Sequence, residues 1–382
     1  MFKVITKDKE TCARTGVFKT RASQVHTPSF FPVATQATVK GLTQKQLGEI
    51  DVDGLLVNAY HLFLRPGTEI IKKCGGLHSF MGFDKTIITD SGGYQIFSLE
   101  KLRKVNDKGV EFQSHIDGDT FFLTPEEAIR IQLDLDSDIV VPLDECVKYP
   151  ISEKDARVAM ERSLNWASRG KDYFDNHNGN NRMFWGIIQG STYKELRGEC
   201  IEKLLSLGLK GLCIGGLSVG EPLDLRYNML LFIDEKVPDE YLRYFMGYGK
   251  PGDILEAVSL GVDLFDCVVP TRFGRTGTAF TNQGEITVRN AAYSQDTESL
   301  DKECSCYTCR NFSRAYLRHL INVKEMTGIQ LVTYHNVFWY KNFMVRIREA
   351  INQGKFSQLK KEFLNRFKET KDNDSRCSHY FP

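Results

Sequence analysis

No stretch of this chain stays apolar for the roughly 18–20 residues that a bilayer span requires. The opening MFKVITKDKETCAR mixes charges with single apolar positions, where a secretory leader would carry an unbroken apolar core. Both absences make the cytoplasm the expected address, away from any membrane. Neither sign of charge dominates: 50 Lys and Arg face 49 Asp and Glu, for a net charge of +1 at pH 7, which argues against an indiscriminate nucleic-acid binder. A glycine-rich dinucleotide fingerprint is missing from the early part of the chain, and a doubly wound open sheet would want one. The disulfide framework of a small secreted domain is missing as well. Cys12, Cys74, Cys146, Cys200, Cys213, Cys267 and Cys377 stand singly, as reduced thiols do. What is present is an ordinary globular composition, 41% hydrophobic and 26% charged over 382 residues. That is long enough for one large α/β domain with insertions, or for two ordinary domains.

Short apolar runs rich in β-branched and aromatic residues recur at Phe30–Thr35, Gly54–Tyr60, Thr86–Asp90, Ile139–Asp144, Met183–Gln189, Gly211–Gly216, Leu242–Gly247 and Leu264–Pro270. Their nearly continuous apolar character suits parallel strands buried on both faces. Helical stretches separate them. Pro125 opens one behind Thr124 as N-cap, Ser191 begins another that Gly208 closes, and Asp253–Leu260 ends at Gly261. Strand alternating with helix eight times predicts an α/β fold, a (β/α)8 TIM barrel.

The polar residues fall at the ends of these runs. Asp90, Asp144, Gln189 and Gly216 close the third to sixth, Met246 and Gly247 close the seventh, and Asp266 lies in the eighth. A barrel brings such positions together on its C-terminal rim, where active sites sit. Carboxylates are poor core residues unless partnered, so three of them on one rim point to a site. A single one, such as Asp90 before Ser91-Gly92-Gly93, would read equally well as a helix N-cap.

Cys304, Cys306 and Cys309 with His335 form C-x-C-x2-C-x25-H, a ligand set suited to one closed, structural, tetrahedral Zn2+. The alternatives are a redox or surface thiol cluster, and His319 in place of His335. From Lys302 onward 15 Lys and Arg meet 7 Asp and Glu. This basic end, with Lys302, Arg310, Arg314, Arg318 and Lys324 around the metal, reads as a phosphate clamp or as a solvated helical tail.

Segments in order along nearly the whole chain now carry a resemblance. They are SFFPVATQATVK at 29–40, NAYHLFLRPG at 58–67, ITDSGGYQIFSL at 88–99, SHIDG at 114–118, LDEC at 143–146, WGIIQGSTYKELR at 185–197, IGGLSVGEP at 214–222, MGYGKPGDI at 246–254 and GVDLFDCVVPTRFGRTGTAFT at 261–281, with the CSCYTC and YHN metal segments. The chain resembles the tRNA-guanine transglycosylases of bacterial type. The resemblance implies a (β/α)8 barrel with an inserted C-terminal zinc-binding subdomain, usually acting as a homodimer. The expected division is a barrel over 1–300, a zinc-binding subdomain over 301–336, and a final barrel helix with a basic helical tail over 337–382.

It also implies the exchange of guanine at the wobble position of a tRNA anticodon loop for a 7-deazaguanine base, a step of queuosine biosynthesis. By position Asp266 matches the nucleophile and Asp90 the general acid/base. Asp144, Gln189, Gly216 and Leu217 match the base-recognition groups, and Tyr94 and Met246 the pair that sandwiches the base. Base displacement at C1′ passes through an oxocarbenium-like state that a carboxylate can trap. An anticodon loop can splay its bases out at little unstacking cost.

Gly247 and Lys250, in a Gly-rich connection, and Thr271, Arg272 and Arg275 are candidate RNA contacts. A tight turn and surface salt bridges are the respective alternatives. Cys146 and Val219 resemble a pocket for 7-aminomethyl-7-deazaguanine rather than the bulkier queuine. Ala59, Leu143 and Phe273 depart from the family pattern without removing a catalytic group. Two other classes remain open on sequence alone: a barrel enzyme acting on a free nucleoside or small sugar, and an RNA-binding protein whose barrel has lost its chemistry.

Overall fold

The computed structural model describes residues 2–98, 103–177 and 181–372. Cys377, Leu99 and the end of the basic tail lie outside them.

Eight parallel strands close into a barrel, as the strand–helix alternation predicts. In chain order they are Ser29–Pro32, Gly54–Val57, Thr86–Thr89, Ile139–Val140, the pair Met183–Phe184 and Gly186–Ile188 split at Trp185, Gly211–Ile214, Leu242–Phe245 and Leu264–Cys267. Each pairs in parallel with the next. The eighth returns to the first through Asp266 opposite Phe31, and Val33 bridges to Leu56 to join first and second.

Alternate side chains point inward: Phe31, Val33, Leu56, Ile88, Ile139, Val141, Trp185, Ile187, Cys213, Leu242, Tyr244 and Leu264 form one buried cluster. Two further clusters fill the space between the strands and the surrounding helices. The barrel is thus packed through its middle, and only its ends can host chemistry.

The floor is sealed by an element the strand reading missed. Lys3–Lys7, Arg14–Lys19 and Gln24–Thr27 make an antiparallel sheet whose Phe2, Phe18 and Val25 join the inner cluster from below. Arg14 locks this sheet to the barrel through a buried bidentate pair with Asp263, at 2.9 and 2.6 Å. A second antiparallel sheet, Arg103–Asn106, Gly109–Gln113 and Thr120–Leu123, lies between the third and fourth barrel strands in sequence. Both were passed over because their short runs alternate in burial and resemble loop.

Several strand ends are shorter than the apolar runs suggest. Pairing stops at Val57, Val140 and Cys267, and Ala59 and Val269 already begin helices. Apolar content continues because the rim itself is buried, so hydrophobicity does not mark where the ladder ends. Thr124 caps the helix Pro125–Asp134 by accepting from the Glu127 N–H at 3.1 Å, as expected. The helix placed from Ser191 begins instead at Lys194, because Gly190 and Ser191, with φ of +126° and +50°, form the preceding turn. The helix placed from Asp253 starts at Pro251, whose fixed φ suits the first helical turn.

Toward the C-terminus a hairpin, Thr278–Thr281 with Gly284–Thr287, precedes the helices Tyr307–Asn311, Arg314–Asn322 and Met326–Asn352. The last runs unbroken through residues 336 and 337 and packs along the helix Val269–Thr276 that follows the eighth strand. No helix among the described residues is long and apolar enough to cross a membrane.

Candidate active site and metal centre

Strand periodicity explains the top of the barrel. Two residues beyond the inward-facing Leu56, Ile88, Ile187, Tyr244 and Leu264 come Asn58, Asp90, Gln189, Met246 and Asp266. The same alternation that builds the apolar core therefore turns these five toward the mouth. Asp144 arrives differently, from the loop after the short fourth strand, and Gln189 meets it.

Each of the three carboxylates is buried and differently held. Asp90 Oδ1 accepts from the Ala59 N–H at 2.9 Å, while Oδ2 accepts from Asn58 Nδ2 at 2.5 Å and Gln95 Nε2 at 2.9 Å. Asp144 Oδ2 accepts from Gln189 Nε2 at 2.6 Å. Asp266 Oδ1 accepts from the Tyr244 hydroxyl at 2.6 Å and the Gly247 N–H at 2.7 Å, and among the described residues Oδ2 takes no hydrogen bond.

Burial raises all three above the ordinary carboxylate range, Asp144 and Asp266 to about 6. Asp90's negative charge adds to the rise at both of the others, so the three groups share one electrostatic neighbourhood. Such clustering of perturbed acids makes this rim the candidate active site.

Glycines let the loops close on this centre. A Cβ at Gly93 would lie 2.8 Å from Asp144 Oδ1, and one at Gly216, which sits at φ +61°, would lie 2.3 Å from Gln189 Oε1. Leu217 is buried beside them. The next two N–H groups, of Ser218 and Val219, are held by the Glu221 carboxylate at 2.6 and 2.9 Å. Tyr94, in the short helix after Asp90, is 67% exposed.

The candidate RNA-contact residues separate. Gly247, Lys250 and Arg272 are exposed beside the rim. Thr271 is buried, with its hydroxyl donating to the Val268 carbonyl, and Arg275 Nε donates to the Thr271 carbonyl at 3.3 Å.

Cys304, Cys306, Cys309 and His335 come together, their ligand atoms all within 4.8 Å of one another. The three sulfurs stand 3.7, 3.4 and 3.2 Å from His335 Nδ1. A tetrahedral ion with bonds of about 2.0–2.3 Å needs ligand separations of about 3.3–3.8 Å, so the set fits. His335 Nε2 lies 2.7 Å from the Phe280 carbonyl, an acceptor that turns Nδ1 toward the sulfurs. His319 is exposed and outside the cluster.

Much of the surrounding positive charge is already occupied. Arg314 pairs with Asp296 at 3.0 Å, Lys302 with Glu298 at 3.3 Å, and Arg318 donates to the Asn290 carbonyl at 2.9 Å. Arg310 and Lys324 remain exposed.

Sequence reasoning missed the groups that hold the acids: Asn58 and Gln95 at Asp90, Tyr244 at Asp266, and Glu221 beneath the loop after the sixth strand. Extending the inward alternation of the second and seventh strands would have found Asn58 and Tyr244. Gln95 and Glu221 act from loops and short helices, where no periodicity signals them.

Residues 8–369 match the family profile described as queuine tRNA-ribosyltransferase. A queuine tRNA-ribosyltransferase of Caldanaerobacter subterraneus subsp. tengcongensis is 50% identical over 366 residues, covering 96% of this chain and 97% of that one. Those so named from Aquifex aeolicus and Francisella tularensis subsp. novicida are each 48% identical, over 96% and 94% of this chain and 98% and 97% of theirs.

Proposed function

Since this chain belongs to the queuine tRNA-ribosyltransferase family, we propose that it is a tRNA-guanine transglycosylase working by double displacement at Asp266. The observation that carries the reading is the set of three buried carboxylates on one rim, each with a different set of donors.

Asp266 is built to attack. Tyr244 and Gly247 both bind Oδ1, which leaves Oδ2 free to approach C1′ of the ribose. Attack forms an Asp266–C1′ ester as the bond from C1′ to the guanine ring nitrogen breaks; the incoming base then displaces Asp266, with net retention. Asp90, raised by burial, passes a proton to the departing ring and takes one from its replacement.

Asp144 accepts from the purine N1–H and exocyclic amine, while Gln189 and the Gly216 N–H donate to its carbonyl. Without a base, Asp144 and Gln189 satisfy each other. Tyr94 and Met246 cover the two faces of the ring.

The incoming base in this reading is 7-aminomethyl-7-deazaguanine. Its amine donates to the Leu217 carbonyl, and Cys146 and Val219 leave less room for queuine. Gly247, Lys250, Arg272 and Arg275 lie where the anticodon backbone would pass, and Thr271 supports them from beneath.

Zn2+ is the ion we assign to Cys304, Cys306, Cys309 and His335. It would staple the loop and short helix that carry the three cysteines to the long helix and supply no chemistry at the ribose. A homodimer fits this reading, since Tyr307, Tyr316, Val323 and Met326 expose apolar side chains on the metal-bearing part.

The test is incorporation of labelled guanine into tRNA, together with a denaturation-resistant enzyme–RNA adduct. Tight tRNA binding without incorporation would instead favour an RNA-binding protein, and absence of both a small-molecule enzyme.

A further inference from the structure

Arg197 is fully buried, yet among the described residues no carboxylate pairs with it. Its guanidinium holds backbone carbonyls instead: Nε donates to Ser191 at 2.6 Å, and one Nη donates to Gly215 at 3.0 Å and Gly216 at 3.3 Å. Burying a cation without a counter-charge is expensive, and a packing role would be served by an uncharged side chain.

The three carbonyls belong to the two loops that carry Gln189 and Gly216. From these contacts we infer that Arg197 is a positioning residue for base recognition, setting the direction of the Gly216 N–H from behind the pocket. The inference rests on the base-reading role proposed above.

The stereochemistry is direct. In a trans peptide the carbonyl of one residue and the N–H of the next point in opposite directions. Drawing the Gly215 carbonyl onto Arg197 therefore turns the Gly216 N–H the other way, and that N–H faces the Cys146 sulfur on the pocket side. Holding the Ser191 carbonyl fixes the other loop just beyond Gln189. The same helix, Lys194–Ser206, also supplies Cys200, whose sulfur accepts the Gln189 N–H at 3.3 Å. One helix thus sets the backbone on both sides of the site that reads the purine carbonyl. Gly190 and Gly216 permit the close approach: a Cβ at Gly190 would meet the Arg197 backbone nitrogen at 2.9 Å.

2-Aminopurine lacks the carbonyl and also the N1–H that Asp144 accepts, and of these two contacts only the one to the carbonyl depends on Arg197. Arg197→Met and Arg197→Lys are compared with the unaltered full-length enzyme for KM and kcat with guanine, inhibition by 2-aminopurine, and KM for tRNA. The expected result for Arg197→Met is a guanine KM raised about tenfold, the effect of one misdirected hydrogen bond, with kcat and the tRNA KM little changed. The preference for guanine over 2-aminopurine should shrink by the same factor, and Arg197→Lys should recover part of it. An unchanged preference in both variants overturns the proposal; should Arg197→Met not fold, an unchanged preference in Arg197→Lys alone does so. If the unaltered enzyme shows no preference, the base-reading role itself fails and takes this inference with it.

Discussion

The Tyr244 hydroxyl, buried inside the barrel, donates to Asp266 Oδ1 at 2.6 Å and leaves the other carboxylate oxygen facing the mouth. This bond favours the ionised acid, against the burial that raises it to about 6. Tyr244→Phe removes the donor while keeping the ring. The acidic limb of the kcat/KM profile should then move to higher pH, with a rate loss of about tenfold at pH 7. A profile superimposable on that of the unaltered enzyme would refute the role given to Tyr244.

Asp266→Asn should abolish both base exchange and the covalent RNA adduct, with a rate loss of at least about 10⁴-fold, while tRNA still binds. The check is a denaturing gel after incubation with tRNA. An adduct that persists in the variant would place the nucleophile elsewhere.

Asp144 is held near 6 in the folded chain, mainly by burial and then by Asp90's charge, well above its value when unfolded. The native state consequently binds a proton more tightly than the unfolded chain, and stability falls as pH rises from about 4 through 6. Asp144→Asn relieves that penalty. It should stabilise the fold by about 3 kcal/mol at pH 8, with no gain at pH 4, while abolishing guanine binding. Thermal unfolding at the two pH values measures this directly; equal shifts at both would contradict it.

Asn336 stands next to the candidate metal ligand His335 and is fully buried. It donates to the Pro270 and Thr278 carbonyls at 3.0 and 2.9 Å and accepts from the Phe280 N–H at 3.0 Å. Asn336→Ala should cost about 3 kcal/mol of stability and raise the tRNA KM, because Pro270 lies in the first turn of the helix bearing Arg272. Denaturant melts and tRNA titrations give both values, and a tRNA KM that does not move would detach this helix from RNA binding.

Removing the metal should act on folding rather than on chemistry. Cys306→Ser is expected to lose the bound ion, measured by elemental analysis, and to lower the melting temperature. Guanine affinity of the remaining folded fraction should stay unchanged.

All eight barrel strands were legible because a parallel strand covered on both faces is apolar along its whole length. The acids at their ends stood out against that background for the same reason. The floor and insertion sheets were not legible, since most of their strands alternate more and less exposed positions and carry no continuous apolar run. Of the acids' partners, Tyr244 lies on the inward alternation of its strand, whereas Gln95 reaches Asp90 from a short helix, where no strand period signals it. The spacing of the cysteines and of His335 announced the candidate metal set, and the long helix brings His335, not His319, to the three sulfurs.

Among the described residues, the sheet under the barrel leaves its interior a single doorway. Phe2, Phe18 and Val25 stopper the far end, so a ring that has been cut loose cannot slip out behind while its successor waits in front. In the double displacement proposed above, departure has to clear the entrance before arrival can use it, with the sugar meanwhile held on Asp266.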